Sequence, residues 1–164
     1  LLDYEEKQKE ARSVSAMLCA RENEIAEAVE HLQKECADLK QEIGEKEKKL
    51  IQYRADMVPD EEKAVCIFGD EFAGESMRHL MNRILEKDRV ICAVFSGCER
   101  DGYRYVIGSK VMDVRSLAGE FNKVFNGRGG GRPEMVQGTV QGREDEMRKW
   151  ILQKAGNSSY ESNA

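Results

Sequence analysis

The sequence predicts an α+β protein in which an N-terminal helical hairpin with a long coiled-coil arm precedes a compact α/β domain with a mixed sheet. Three observations support this fold class: a heptad repeat from Ile25 to Ile43, no proline before Pro59, and a change to short apolar runs from Ala64 onward. The chain has 164 residues, which suits one domain plus an elongated element. We predict a hairpin and arm at 1–60, an α/β domain at 61–155 and a polar tail at 156–164.

The arm is predicted from the spacing of its apolar residues. From Ile25 to Ile43 the gaps are 4, 3, 4, 3 and 4 residues, as in a coiled coil. A shorter helix at 4–18, a connection at 20–23 and a long helix at about 21–57 would form the hairpin, and the long helix would measure about 55 Å. Whether the arm pairs within one chain or between two chains stays open. The predicted dimerisation residues are Ile25, Val29, Leu32, Cys36, Leu39, Ile43 and Leu50.

The domain is predicted from alternating short strands and amphipathic helices. We expect strands at 64–68, 90–95, 103–108 and 135–140, and helices at 71–85, 114–125 and 143–152. The second and third strands would form a hairpin, and a glycine-rich loop would precede the fourth. Tyr103 and Tyr105 alternate along the third strand, so their shared face would either stack on unpaired bases or pack in the core.

The charge is distributed unevenly along the chain. The net charge is −5, but residues 1–63 carry 11 Lys and Arg against 17 Asp and Glu. Residues 100–132 carry seven cations against three acids, a net charge of +4. The acidic average therefore does not exclude an anionic partner for the domain.

Cysteine usage and hydropathy indicate a cytoplasmic protein. The five cysteines include no C-x-x-C pair, so we expect reduced thiols and neither a disulfide framework nor a zinc site of that kind. No run of about 18 apolar residues occurs, which excludes a membrane-spanning helix. No signal peptide pattern is visible, and because the chain starts at Leu1 without Met we interpret it as a fragment of a longer chain.

The most informative stretch is residues 127–138, GRGGGRPEMVQG. Adjacent glycines expose backbone N–H groups and permit positive φ. The guanidinium groups of the flanking Arg128 and Arg132 can each donate two parallel hydrogen bonds to the oxygens of one phosphate. The stretch would either hold a phosphate or serve as a tight connection in which the glycines matter only for geometry. It is neither a Walker loop, since no Gly-Lys-Ser/Thr follows, nor a dinucleotide-binding fingerprint, since it precedes a strand.

Residues 109–142 around this stretch resemble the DHH-associated C-terminal domain of alanyl-tRNA synthetases, and resemble even more the same domain of long free-standing alanyl-tRNA editing proteins. The family's motif is GGGRP-acidic-Met-x-Gln, and Glu134 and Val136 stand where Asp and Ala are usual. Residues 13–18 and 28–35 are similar to the family's helical hairpin. In the related DHH phosphoesterases a His usually follows the glycines, whereas this chain has Arg132, which favours the tRNA branch.

The resemblance implies a module that binds tRNA of the alanine type and forms a homodimer. In the family a separate editing domain hydrolyses mischarged tRNA at a zinc site, so we expect zinc in a domain outside this chain and no cofactor within it. The only histidines, His31 and His79, lie far apart, so no catalytic site is expected here.

We therefore predict the tRNA-binding and dimerisation module of an alanyl-tRNA editing protein, an aminoacyl-tRNA hydrolase. The alternatives are the C-terminal domain of an alanine–tRNA ligase and a purely structural dimerisation module; a DHH phosphoesterase is disfavoured because the Asp-His-His metal cluster is missing. The predicted RNA-binding residues are Arg104, Lys110, Lys123, Arg128, Gly129, Gly130, Gly131 and Arg132.

Overall fold

The computed structural model describes residues 2–72 and 74–161. Within these ranges it describes the side chains of residues 4–72 and 74–156. They form two compact units, residues 1–47 and 48–164. Three residues of the predicted polar tail, 162–164, and Ala73 of the predicted 71–85 helix lie outside the described part of the chain. No helix of the described residues is long and apolar enough to span a membrane.

The first unit is helical, as the heptad pattern predicts. Helix α1 (Leu2–Leu18) ends at Cys19, whose positive φ of 50° stops the helix, and a 3-10 turn (Glu22–Glu24) leads into α2 (Ile25–Asp56). The 32 residues of α2 correspond to a helix of about 48 Å. Arg12 and Glu22 are joined by an exposed ion pair of 3.5 Å.

The second unit contains a five-stranded mixed sheet, which confirms the predicted α+β class. Strands β1 (Ala64–Gly69), β2 (Ile91–Cys98), β3 (Gly102–Gly108), β4 (Arg128–Arg132) and β5 (Met135–Val140) lie in the order β1-β2-β3-β5-β4. The β1–β2 pair is parallel and the other three pairs are antiparallel. A parallel pair needs a crossover connection, and helix α3 (Gly74–Ile84) provides it.

Helices cover both faces of the sheet because strand side chains alternate between the two faces. On one face, α4 (Val114–Val124) and α5 (Glu144–Glu161) pack against residues such as Phe95, Tyr105 and Ile107. We call this the α4–α5 face. On the other, the α3 face, α3 and the last turns of α2 pack against Val94 and Val106.

Several predicted boundaries differ from the structure. Strand β2 continues to Cys98, three residues past its predicted end, and α3 begins at Gly74 and not at Glu71. The glycine stretch is not a loop, because Arg128–Arg132 form the edge strand β4 paired with β5. The last helix continues past the predicted end at Leu152 to Glu161 and so includes part of the predicted polar tail.

Candidate nucleic-acid interface

The α3 face of the sheet is open beyond α3. This helix packs over β2 and β3, whereas the residues of β5 and β4 that point to the same side are exposed. They are Gln137, Thr139, Arg128, Gly130 and Arg132, and Arg104 of β3 is exposed on the same side. We call this area the open sheet surface.

Strand register places two predicted RNA-binding arginines in one row on this surface. Thr139 pairs with Arg104 of β3 on one side and with Arg128 of β4 on the other. Directly paired residues carry their side chains on the same face, and neighbouring strands lie about 4.8 Å apart. The Cα atoms of Arg104 and Arg128 are therefore about 10 Å apart, with a hydroxyl between them.

The third arginine, Arg132, shares the surface but lies farther along β4. It follows Arg128 by four residues, so the two side chains leave the same face about 13 Å apart. All three arginines are exposed, and none of their guanidinium groups forms an ion pair or a hydrogen bond within the part of the chain that the structure describes. The surface therefore presents three uncompensated cations.

Lys110 and Lys123 are not brought together with these arginines. Lys110 follows β3 at the opposite end of the strands from Arg104, beside the β4–β5 turn: the neighbouring Ser109 N–H donates to the Glu134 carbonyl at 3.0 Å. Lys123 is an exposed residue of α4, on the other side of the sheet. Of the predicted set, only Arg104, Arg128, Arg132 and Gly130 contribute to the open sheet surface.

The glycines of β4 have two different roles. A Cβ at Gly129 would lie 2.5 Å from the Gln137 carbonyl oxygen and would overlap the Tyr105 hydroxyl, so close packing of β4 on β5 and Tyr105 requires a glycine there. At Gly130 a Cβ would have open space around it. None of the three glycines has positive φ, so they do not form the anion-wrapping loop suggested by sequence.

The two tyrosines pack in the core and do not present a face for base stacking. Tyr103 is 6% exposed and Tyr105 is 1% exposed, and both rings contact Phe95. The Tyr105 hydroxyl donates to Asn122 Oδ1 at 2.9 Å, and burial raises the pKa of this hydroxyl. The stacking alternative was wrong because both side chains point to the α4–α5 face and are buried in the core on that side.

Sequence reasoning missed a groove at the Arg104 end of the open sheet surface. It has a volume of about 650 Å³, and its wall includes Phe72, whose carbonyl accepts a 2.7 Å hydrogen bond from the Ser96 hydroxyl. Arg104, Thr139 and Arg128 line one part of it, and Asp101 lines another. Only the strand register assembles these residues, because they come from three strands.

The predicted dimerisation residues form a partly exposed row on α2. Val29, Leu32, Leu39 and Ile43 are 38%, 45%, 51% and 62% exposed. Cys36 is also exposed, and Ile25 is half-buried. Leu50 lies beyond this row and packs against the α3-side core of the second unit.

Among the described residues no group of three His, Cys, Asp or Glu side chains is placed to hold a metal ion. His31 is exposed on α2, and His79 is exposed on α3, 3.9 Å from Glu75.

A five-stranded mixed sheet with helices on both faces and an exposed area that carries three arginines defines an α+β domain. The chain belongs to the DHHA1 domain family, which matches residues 60–157. The match covers all five strands, α3, α4 and most of α5.

Curated relatives extend the comparison to named proteins. The alanine–tRNA ligase of Acholeplasma laidlawii is 31% identical over 80 residues, which is 49% of this chain and 9% of the ligase. That of Archaeoglobus fulgidus is 28% identical over 145 residues, 84% of this chain and 16% of the ligase. The chain thus spans less than a fifth of the length of these relatives.

Two solved structures superpose on parts of this chain. Exonuclease RecJ bound to manganese superposes with a TM-score of 0.55 at 17% identity, covering 87% of this chain and 38% of RecJ. The C-Ala domain of Aquifex aeolicus alanyl-tRNA synthetase gives a TM-score of 0.46 at 20% identity, covering 56% of this chain and 93% of that domain. The likeness to RecJ shows the fold alone.

Proposed function

We propose that this chain binds tRNA through the open sheet surface, as a non-catalytic module of a protein that acts on alanine tRNA in the cytoplasm. Two kinds of observation support the proposal. The curated relatives are alanine–tRNA ligases, and the open sheet surface carries arginines suited to phosphate contacts.

The single observation that carries the proposal is the unpaired state of Arg104, Arg128 and Arg132 on one exposed face. Elsewhere in the domain exposed arginines are held by carboxylates: Arg115 bonds to Asp113 at 2.6 Å and Arg143 to Asp145 at 3.0 Å. A cation already paired within the protein gains less from a phosphate, because the existing ion pair must first be broken. The three free arginines are therefore the groups best suited to an RNA backbone.

Binding of fluorescently labelled tRNA, followed by anisotropy, tests the proposal. We expect the double variant R104A/R128A to bind at least tenfold more weakly, since one lost charge-assisted contact of about 1.4 kcal/mol corresponds to tenfold. The single variants R104A and Lys123→Ala are the matched pair, because each removes one positive charge and Lys123 is exposed on the other side of the sheet. Equal losses in R104A and K123A would mean that net charge, and not this surface, governs binding.

The parent protein has two candidates. The relatives favour the C-terminal module of an alanine–tRNA ligase, whereas residues 109–142 resemble the domain of free-standing editing proteins more strongly. A ligase charges tRNA with alanine, and an editing protein hydrolyses mischarged tRNA at zinc in a separate domain. Assays of the full-length protein for alanine attachment and for release of serine from mischarged tRNA distinguish them.

Dimerisation is a second proposed function, favoured by the exposed apolar row on α2. Leu and Ile at heptad spacing on an exposed helix face are typical of a coiled coil, in which a second helix buries them. We therefore propose that a second copy packs against this row. Sedimentation of the chain should give a dimer, and the variant L39E/I43E should sediment as a monomer. A wild-type chain that remains monomeric at high micromolar concentration would contradict the proposal.

A further inference from the structure

Strand β4 is an edge of the sheet, and all five of its residues are exposed. Arg132 pairs with Met135 across a two-residue turn, so these two residues exchange main-chain hydrogen bonds. Hydrogen bonding alternates along an antiparallel strand, and the N–H and C=O groups of Gly129 and Gly131 therefore point away from β5. Within the described part of the chain these groups bond to nothing else, so the outer edge offers two donors and two acceptors.

The opposite edge of the sheet, strand β1, is covered by a side chain of α5. Arg148 donates to the Cys66 carbonyl at 2.6 Å, and its guanidinium lies 5.0 Å from the centre of the Phe68 ring. Proteins commonly cover or charge an edge strand in this way, because an open edge pairs readily with another extended chain. Since all of β4 is exposed, β4 is the edge at which a further strand can join.

The charged side chains of β4 favour an acidic partner strand. Arg128 and Arg132 are the first and last residues of β4, and both lie on the open sheet surface with Gly130 between them. In a strand added to β4, the residues directly opposite the two arginines would lie four positions apart on the same face. Carboxylates at these two positions would each meet a guanidinium that has no ion pair among the described residues.

A second copy of β4 and an RNA backbone both fit this edge less well than an acidic peptide does. Antiparallel pairing of two β4 strands about Gly130 would place Arg128 of one copy opposite Arg132 of the other, and like charges in such a pair are destabilising. An RNA backbone would bring anionic acceptors against the carbonyl oxygens of Gly129 and Gly131. An extended polypeptide carries both donors and acceptors along its main chain and can satisfy all four outer groups.

We propose that β4 binds an extended acidic segment of another protein, which joins the five-stranded sheet as a further, antiparallel strand. The segment has acidic residues at its first and fifth positions, opposite Arg132 and Arg128. The main chain of its second and fourth residues exchanges hydrogen bonds with Gly131 and Gly129. This interaction goes beyond tRNA binding, because it uses the outer edge of β4, whereas Arg104 lies two strands away in β3.

Titration of the full chain with the peptide acetyl-Glu-Val-Ser-Val-Glu-amide, followed by amide chemical shifts, tests the proposal. The matched peptide has Gln in place of both Glu residues. We expect the Glu peptide to bind about fivefold more tightly than the Gln peptide, since each exposed ion pair contributes about a factor of two. Equal binding of the two peptides, or unchanged shifts of the β4 amides at millimolar peptide, would overturn the proposal.

Methylation of the peptide main chain distinguishes strand addition from a simple attraction of charges. A Glu peptide with N-methyl groups on its second and fourth residues lacks both donors to β4 and should bind at least tenfold more weakly. A Glu peptide with one N-methyl group on its third residue, whose N–H points away from β4, should bind within about twofold of the unmodified peptide. Equal affinities of the two methylated peptides would contradict strand addition.

Variants of the chain locate the effect and separate it from tRNA binding. The double variant R128Q/R132Q should bind the Glu peptide no more tightly than the Gln peptide, while the matched change Lys123→Gln, on α4, should leave the preference intact. A Glu preference that survives R128Q/R132Q contradicts the proposal. Arg104→Ala should weaken tRNA binding and leave peptide binding unchanged, and an equal loss of both would contradict a separate peptide site. Peptide binding at β4 with tRNA binding that ignores all three arginines would refute the tRNA function and support strand addition.

Discussion

Two alanine substitutions in adjacent glycines of β4 should have opposite effects on stability. At Gly129 a Cβ would lie 2.5 Å from the Gln137 carbonyl oxygen and 2.9 Å from the Gly138 Cα, and it would overlap the Tyr105 hydroxyl. Overpacking of this kind costs about 1–3 kcal/mol, and displacing Tyr105 from Asn122 adds about 1 kcal/mol. We expect Gly129→Ala to lower the free energy of unfolding by about 2–4 kcal/mol.

Gly130→Ala is the matched control, because no atom lies within 4 Å of its Cβ position and its φ is not positive. We expect it to leave the free energy of unfolding unchanged or to raise it by about 0.4–1 kcal/mol, because alanine lowers the conformational entropy of the unfolded chain. Urea unfolding of the domain, followed by the fluorescence of Trp150, measures both values. Equal free energies of unfolding for the two variants would refute the distinction between a packed and an open face of β4.

Three further predictions concern the rest of the domain. The Arg89 side chain is 1% exposed and donates to the carbonyls of Pro59 at 3.0 Å and Glu62 at 2.7 Å. Arg89→Met should therefore lower the free energy of unfolding, measured in urea, by about 3 kcal/mol. A decrease below about 1 kcal/mol would contradict this. Asp113 caps α4 by accepting from the Arg115 N–H at 2.9 Å, so Asp113→Ala should lower stability by about 1 kcal/mol and Asp113→Ser should restore most of it. Burial raises the pKa of the Cys66 thiol to about 12 and raises that of Cys92 as well, so neither thiolate forms at pH 8 in the folded protein. A thiol reagent at pH 8 should therefore label three cysteines quickly and these two only on unfolding, as counted by mass spectrometry. The three quickly labelled residues are Cys19, Cys36 and Cys98.

The periodicity of apolar residues predicted most of the fold because each element buries one face. The strands at 64–68, 103–108 and 135–140 and the helix at 114–125 match observed elements to within one or two residues. These segments could be predicted because the core that they contact sets the spacing of their apolar residues, alternate in a strand and every three or four residues in a helix. The long helix ends at Asp56, within one residue of the prediction, but begins at Ile25, four residues later than predicted.

The edge strand β4 was missed because it carries almost no such signal. Three consecutive glycines have low strand propensity, and all five residues from Arg128 to Arg132 are exposed, so no apolar alternation marks them. They form a strand because of their tertiary contacts with β5. Gly129 lies opposite Gly138, and a side chain at either position would collide with the neighbouring backbone. The paired glycines were visible in the sequence, but their register was not.

The sequence predicted which arginines belong to the candidate site, but it did not predict how they are arranged in space. The charge window and the glycine motif identified Arg104 and Arg128, which are 24 residues apart in the chain. Only β5, inserted between β3 and β4, places them in one row. Lys123 falls in the same window but faces away, because α4 packs on the opposite side of the sheet.

The salt dependence of tRNA binding tests the central claim most directly. For each phosphate contact, the logarithm of the association constant falls with the logarithm of salt concentration with a slope of about 0.7–0.9. We predict that R104A/R128A lowers this slope by about 1.5 relative to the wild-type chain, and that Lys123→Ala leaves it unchanged. A double variant with the wild-type slope and affinity would show that the open sheet surface does not bind RNA.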